Sequence, residues 1–284
     1  MFQAGLLATR PDAGKMANPG VEPVLSPNAG NKGPVHWVDF SSQPLYAASA
    51  PRPADVEEGA ADDCGLLAFA AEVARRNPKL LTEAIHDNGN GTYSVRFADW
   101  RAPPGSNANS PLQPVTVVVD GKLPAVGNVP VYAKLSPGGG LWPLILEKAY
   151  AKLLGSYANI KGNSDLPAFR LLGWRENKVP AADPTIYGQM ATCLNANGIV
   201  TVGTGLKTDA PPGWPEGLAF AHMFSVLGVR PDPDGSRWIH LYNPWGAGKG
   251  IPKSADVRPL PDGTFEMRAR SFEKFFHAVE LMTP

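Results

Sequence analysis

Cysteine is scarce in this 284-residue chain, which holds only Cys64 and Cys193. Two thiols make no disulfide framework. They read as free cysteines and point to a cytoplasmic or otherwise reducing compartment. Neither CxxC nor HExxH occurs, so the common zinc motifs are missing and no metal site is expected. Net charge is also lacking, with 26 Lys and Arg against 26 Asp and Glu. There is no basic run either, so neither nucleic acid nor an anionic membrane is an expected partner. No apolar stretch approaches the ~20 residues of a membrane span. The opening MFQAGLLATR has too short an apolar stretch, and no leading basic residue, for a signal peptide. No internal repeat is present. What the chain does have is glycine and proline, thirty of each, which implies many loops between short elements. Its length suits one large domain or two lobes.

Residues 1–34 are rich in Pro, Gly, Asn and Ala with little periodicity, and read as a flexible or loosely docked arm. In CGLLAFAAEVARR, apolar residues recur at helical spacing from Leu66 to Ala74, which predicts a helix whose first turn holds Cys64. NPKLLTEAIHDNGNGTYSVRF then reads as a helical stub, a turn and a strand, and VTVVVDGKLPA as one further strand. WPLILEKAYAKLLGSY predicts a strong helix, with Glu147 and Lys148 taken as a surface pair. From about residue 175 the pattern turns to short β-rich runs, among them GIVTVGT, HMFSVLGVR, RWIHLYN and TFEMRA, with a helical turn at SFEKFF. Cys193, ahead of the first of these strands, reads as a core thiol. The fold class is therefore α+β. A helix-rich first lobe spans 35–172 and a β-rich second lobe spans 173–284.

Cys64 stands directly after Asp62 and Asp63, at a helix start rather than within an apolar run. The free N–H groups and positive dipole end at such a place favour the thiolate, which is the nucleophile. A nucleophilic cysteine needs a base, a group orienting that base, and donors for the oxyanion. Among the five histidines, His222 and His240 flank RPDPDGSR, which reads as a hairpin turn. Pairing centred between residues 233 and 234 sets Asn243 opposite Phe224 and makes His222 its diagonal neighbour, within side-chain reach. His240 faces away from Asn243. On these features alone, a core histidine and a small buried cysteine remain an equal alternative.

The stretch PADVEEGAADDCGLLAFAAEV resembles the calpain motif Asp-Ile-x-Gln-Gly-x-x-Gly-Asp-Cys-Trp-Leu-Leu-Ala. VDGKLP, WPLILEKAYAKLLGSY, GLAFAHMFSVLGVR and WIHLYNPWG are similar, in order, to further calpain segments. The resemblance covers most of 53–284 and concerns the two-lobed, papain-like calpain protease core, without an EF-hand loop. It implies a cysteine endopeptidase acting on protein or peptide substrates. Cys64 would be the nucleophile, His222 the base, Asn243 its orienter, and Trp245 the aromatic that shields the His–Asn bond. The active cleft would lie between the lobes of a monomer.

Three departures stand against that pattern. Glu58 occupies the place of the glutamine whose amide donates to the oxyanion, and Gly65 replaces the tryptophan after the cysteine. An ionised Glu58 has no donor; one held protonated by burial keeps one, and another group is a further candidate. If Glu58 titrates there, the wild type gains relative activity at mildly acidic pH. GAGKG puts Lys249 where the family carries a calcium-binding acid, so no cofactor is expected and calcium dependence is in doubt. The alternatives are an inactive calpain-fold module that binds peptides or partner proteins, and an acyl-transfer enzyme such as a deamidase or transglutaminase.

Overall fold

A computed structural model describes residues 21–25, 33–99, 113–162 and 171–284. In chain order its elements are β1 (His36–Asp39), α1 (Cys64–Arg76), α2 (Pro78–Ala84), β2 (Ile85–Asp87), β3 (Thr92–Asp99), β4 (Gln113–Asp120), β5 (Lys122–Val126), β6 (Val129–Pro130) and α3 (Trp142–Leu154). There follow β7 (Arg175–Pro180), α4 (Ile186–Asn195), β8 (Ile199–Thr204), β9 (Met223–Pro231), β10 (Arg237–Tyr242), β11 (Val257–Pro259), β12 (Phe265–Arg268), α5 (Ala269–Phe275) and β13 (Phe276–Thr283). The architecture is α+β. Three antiparallel sheets run β1-β5-β6, β2-β3-β4 and β11-β12-β10-β9-β8-β13-β7. Among the described residues no helix is long and apolar enough to cross a membrane.

Two apolar cores organise these elements. One gathers α1, α2, α3 and β2–β4 around Phe69, Tyr93, Trp142 and Tyr150. The other lies on the seven-stranded sheet, with Ile186, Met190, Phe224, Phe265 and Phe272. Helix α1 lies between them, and every residue from Cys64 to Ala74 is buried. A helix with one wet face would show only a stripe; burial on all sides marks a helix enclosed by two packing partners. Its second partner is the large sheet, where Ser225 Oγ on β9 donates to the Ala68 carbonyl at 2.7 Å. That contact fixes the start of α1 against the strand that begins just after His222.

Several expectations need correction. VTVVVDGKLPA is two strands, because the chain turns at Gly121: β4 pairs with β3, and β5 with β1. A Cβ on Gly121 would lie 2.8 Å from the Ser41 side chain, so the turn accepts only glycine. Glu147 and Lys148 are buried rather than a surface pair. Lys148 Nζ bonds Asp120 Oδ1 at 2.6 Å and the Lys122 carbonyl at 2.7 Å, and pairs with Glu22 at 2.8 Å. Glu147 accepts the Ala133 N–H at 2.8 Å. Glu22 belongs to the stretch read as an arm. Beside it, Val24 bonds the Gly155 carbonyl and accepts from the Tyr157 N–H. The rest of 1–34 lies outside the described residues except 21, 23, 25, 33 and 34. Helix α4 also interrupts the β-rich part, where only SFEKFF reads as helical.

Candidate active site

The hairpin of β9 and β10 has the expected register at its open end, where Tyr242 faces Ser225. A bulge between His240 and Leu241 shifts the half nearer the turn by one residue. His222 therefore precedes β9 and Asn243 follows β10 as diagonal neighbours. Their side chains meet: Nε2 of His222 lies 2.9 Å from Oδ1 of Asn243. An amide oxygen can only accept, so Nε2 carries the hydrogen and Nδ1 is left with its lone pair. Oδ1 also accepts the Trp245 N–H at 3.0 Å, which holds the amide in this orientation. The Trp245 ring lies 4.7 Å from the His222 ring, centroid to centroid. Gly250 completes the corner. With φ +56° it would place a Cβ 2.5 Å from Asn243 Nδ2 and 2.6 Å from the indole.

Cys64 opens α1, directly opposite. Its Sγ, one imidazole nitrogen of His222 and one carboxylate oxygen of Glu58 all lie within 4.8 Å of one another. Nδ1 of His222 is 4.0 Å from Oε2 of Glu58. Two strained residues deliver these groups: Asp62 at φ +53° before Cys64, and Ala221 at φ +49° before His222. Non-glycine residues in that region cost about 1–3 kcal/mol and cluster at functional sites. The segment before the cysteine is zipped to the one around the asparagine. Glu58 N–H donates to the Pro244 carbonyl at 2.7 Å, Tyr242 Oη to the Val56 carbonyl at 2.8 Å, and Lys249 Nζ to Glu57 at 2.6 Å. Beside the thiol lies a cavity of about 230 Å³, bordered by Cys64, Gly65, Thr204, His222, Met223 and His277.

The electrostatics correct the expectation of a thiolate. Burial, then the negative charge of Glu58, push the Cys64 thiol up to about 12, overriding the helix terminus. Burial also pulls His222 down to about 4, although its bond to Asn243 acts in the opposite direction. The resting pair is a neutral thiol beside a neutral imidazole. Glu58 is pushed up to about 9 by burial and by Asp63 and Asp62, against the Lys134 charge and the Cys64 N–H that faces its carboxyl. At neutral pH it is an uncharged acid, and its buried Oε2 has no hydrogen-bond partner.

Residues 26–283 match the family model described as "Calpain family cysteine protease". The chain belongs to the calpain family. Calpain-type cysteine protease ADL1 of Oryza sativa subsp. japonica is 29% identical over 225 residues, covering 73% of this chain and 10% of that protein. Calpain-13 of Rattus norvegicus is 27% identical over 265 residues, covering 78% of this chain and 36% of its own length. The Calpain-2 catalytic subunit of Gallus gallus is 26% identical, covering 92% of this chain and 40% of its own. The chain thus spans only a tenth to two fifths of the length of these relatives.

The fold brings together all five residues singled out in the sequence: Cys64, His222, Asn243, Glu58 and Trp245. His240 is elsewhere, 2.6 Å from Thr264 Oγ1, and Cys193 faces the Ile199 and Met282 carbonyls inside the second core. Sequence reasoning missed two buried acids behind Cys64. Asp63 and Glu147 are both buried; burial raises both carboxyls, and the charge of Asp63 raises Glu147 further. Asp63 was visible as a neighbour of Cys64, but only the packing of α1 on α3 shows that it faces inward.

Proposed function

We propose that this calpain-family chain is a cysteine endopeptidase core in which Cys64, His222 and Asn243 form the catalytic set. The two apolar cores correspond to two lobes with a boundary near residue 172, and the cleft between them takes an extended protein segment. The observation that carries this reading is the 2.9 Å bond between His222 Nε2 and Asn243 Oδ1, with Nδ1 4.0 Å from Glu58 Oε2 and one imidazole nitrogen within 4.8 Å of Cys64 Sγ. A core histidine without a catalytic role has no need of an oriented lone pair beside a sulfhydryl.

The neutral resting pair sets the order of events. As the substrate carbonyl arrives, Cys64 gives its proton to Nδ1 while sulfur forms the bond to carbon, and the carbonyl electron pair moves onto oxygen. That oxyanion is met by the uncharged Glu58 carboxyl, through the otherwise unpartnered Oε2, together with the Cys64 N–H. Collapse of the tetrahedral species breaks the peptide C–N bond, and the imidazolium protonates the leaving amine. Water, deprotonated by the same Nδ1, then hydrolyses the thioester and restores the thiol. Trp245 over the imidazole keeps water from the His–Asn bond.

One observation favours a second reading, a non-catalytic peptide-binding module: the Cys64 N–H already faces the Glu58 carboxyl, so the oxyanion position is partly occupied at rest. Hydrolysis of an unfolded protein substrate decides between them. Turnover that disappears in Cys64→Ala and in His222→Ala supports the peptidase. Retained binding of the substrate with no cleavage by the wild type overturns it.

A further inference from the structure

We infer that Glu58, Cys64 and His222 form a site for a thiophilic divalent cation, with Zn²⁺ as the ion that fits best. Sulfur, imidazole nitrogen and carboxylate oxygen lie within 4.8 Å of one another, all on buried side chains. Zinc–ligand bonds of about 2.0–2.3 Å set tetrahedral neighbours roughly 3.3–3.8 Å apart, so side-chain torsions of modest size close the site. Two of the donors are already prepared. Glu58 Oε2 is buried, unpartnered and 4.0 Å from His222 Nδ1. His222 Nε2 is held by Asn243 Oδ1 at 2.9 Å, the kind of outer bond that fixes the tautomer of a metal-binding histidine. The cavity bordered by Gly65, Thr204 and Met223 leaves the fourth position open to water.

Charge singles out this chain. A thiolate and a carboxylate carry two negative charges, which a dication neutralises fully in a buried place. A glutamine at position 58 would leave one positive charge uncompensated. Binding one ion displaces the thiol proton and the carboxyl proton, so two protons go to solvent for each Zn²⁺ bound. Asp62 and Asp63 add favourable negative potential, and Lys134 opposes it. Calcium does not suit the set, since it prefers six to eight oxygen ligands. The three donors come from positions 58, 64 and 222, so no short sequence motif announces them.

The consequence, which rests on the peptidase reading, is reversible inhibition: the ion ties up the nucleophile and the base together. The binding itself can be measured without turnover. The full chain is titrated with Zn²⁺ against a competing chelator, and with Co²⁺ as a spectroscopic probe, while Cys64 alkylation and melting temperature are followed. The inference expects one equivalent bound, a raised melting temperature, protection of Cys64, and a thiolate-to-cobalt absorption band that vanishes in Cys64→Ser but not in Cys193→Ala. Zn²⁺ affinity should fall at least about tenfold in Glu58→Gln. Equal affinity in Glu58→Gln, or a band that survives in Cys64→Ser, overturns the site. If Glu58→Gln fails to fold, His222→Gln replaces it, and wild-type affinity there is equally fatal. A chain that binds zinc through Cys64 yet never cleaves protein keeps this inference and removes the peptidase. A chain that cleaves protein and ignores zinc does the reverse.

Discussion

Replacing Glu58 by glutamine has an effect whose size depends on pH, and the structure says where the change falls. Glu58 titrates near 9 because it is buried among Asp63 and Asp62. At pH 7, about two units lower, roughly 1% of it is ionised, so the wild type already has its uncharged donor. Glu58→Gln should then leave kcat/KM within a few-fold at pH 7. At pH 10 about 90% is ionised, and only the remaining tenth retains the donor. The Gln variant should therefore exceed the wild type about tenfold there. The ratio should climb further toward the 10²–10³ that one oxyanion donor is worth. Ionised Glu58 also holds the thiol protonated, which adds to the difference with the same sign. Burial thus moves the crossover from the mildly acidic range that the sequence suggested to about pH 9. The assay is a paired pH–rate profile from pH 6 to 10 with chelator present, read as the ratio of the two proteins. A ratio already above about tenfold at pH 7 would mean an ionised Glu58. A ratio below one at every pH would give this side chain a different task, and either result refutes the reasoning.

Cys64→Ala and His222→Ala should each abolish peptidase activity, while Cys193→Ala, whose sulfur faces the Ile199 and Met282 carbonyls in the second core, keeps most of it; equal loss in Cys193→Ala without unfolding contradicts the assignment. Gly250→Ala should lower both kcat and melting temperature, by about 1–3 kcal/mol in stability, because its Cβ meets Asn243 and Trp245 at φ +56°; unchanged kinetics would show that the corner tolerates a shift. Chelating calcium should move activity and melting temperature little, since Lys249 holds Glu57 at 2.6 Å in the loop after Trp245; a shift of several degrees on adding millimolar calcium contradicts this. Stability should fall between about pH 6.5 and 9. Burial raises Glu58 to about 9, Glu72 to about 8, Asp63 to about 7 and Glu147 well above its usual range. The folded state therefore binds more protons than the unfolded one across that window. The depressed His222 titrates near 4 folded and near 6.5 unfolded, so its opposing contribution lies below it. A melting temperature that rises from pH 6.5 to 9 would show that these acids are not buried as described.

Where a feature depended on local pattern, the sequence was enough. The apolar spacing from Leu66 to Ala74 located α1, and the RPDPDGSR turn with its flanking runs fixed the pairing that joins His222 to Asn243. The bulge at His240 was invisible because it displaces only the turn half of the hairpin. Helix α4 had a readable signal, since Ile186, Tyr187, Met190, Cys193 and Leu194 recur at helical spacing and are all buried. The surrounding β-rich runs obscured it. Features set by long-range packing left no local trace. Lys148 became a buried ion because Asp120, 28 residues away, lies over α3. The helix start at Cys64 suggested a thiolate, but enclosure of α1 between two cores reversed the sign, because desolvation outweighs a helix terminus.

The central claim is that Cys64 forms an acyl-enzyme with His222 as its base. The most direct measurement is mass spectrometry of the acid-quenched protein during turnover of an activated peptidyl ester, followed by peptide mapping. The account predicts one acyl group on the peptide containing Cys64, formed at least about 10²-fold more slowly in His222→Ala. Acylation of Cys193 instead, or acylation of Cys64 at the same rate with and without His222, contradicts it.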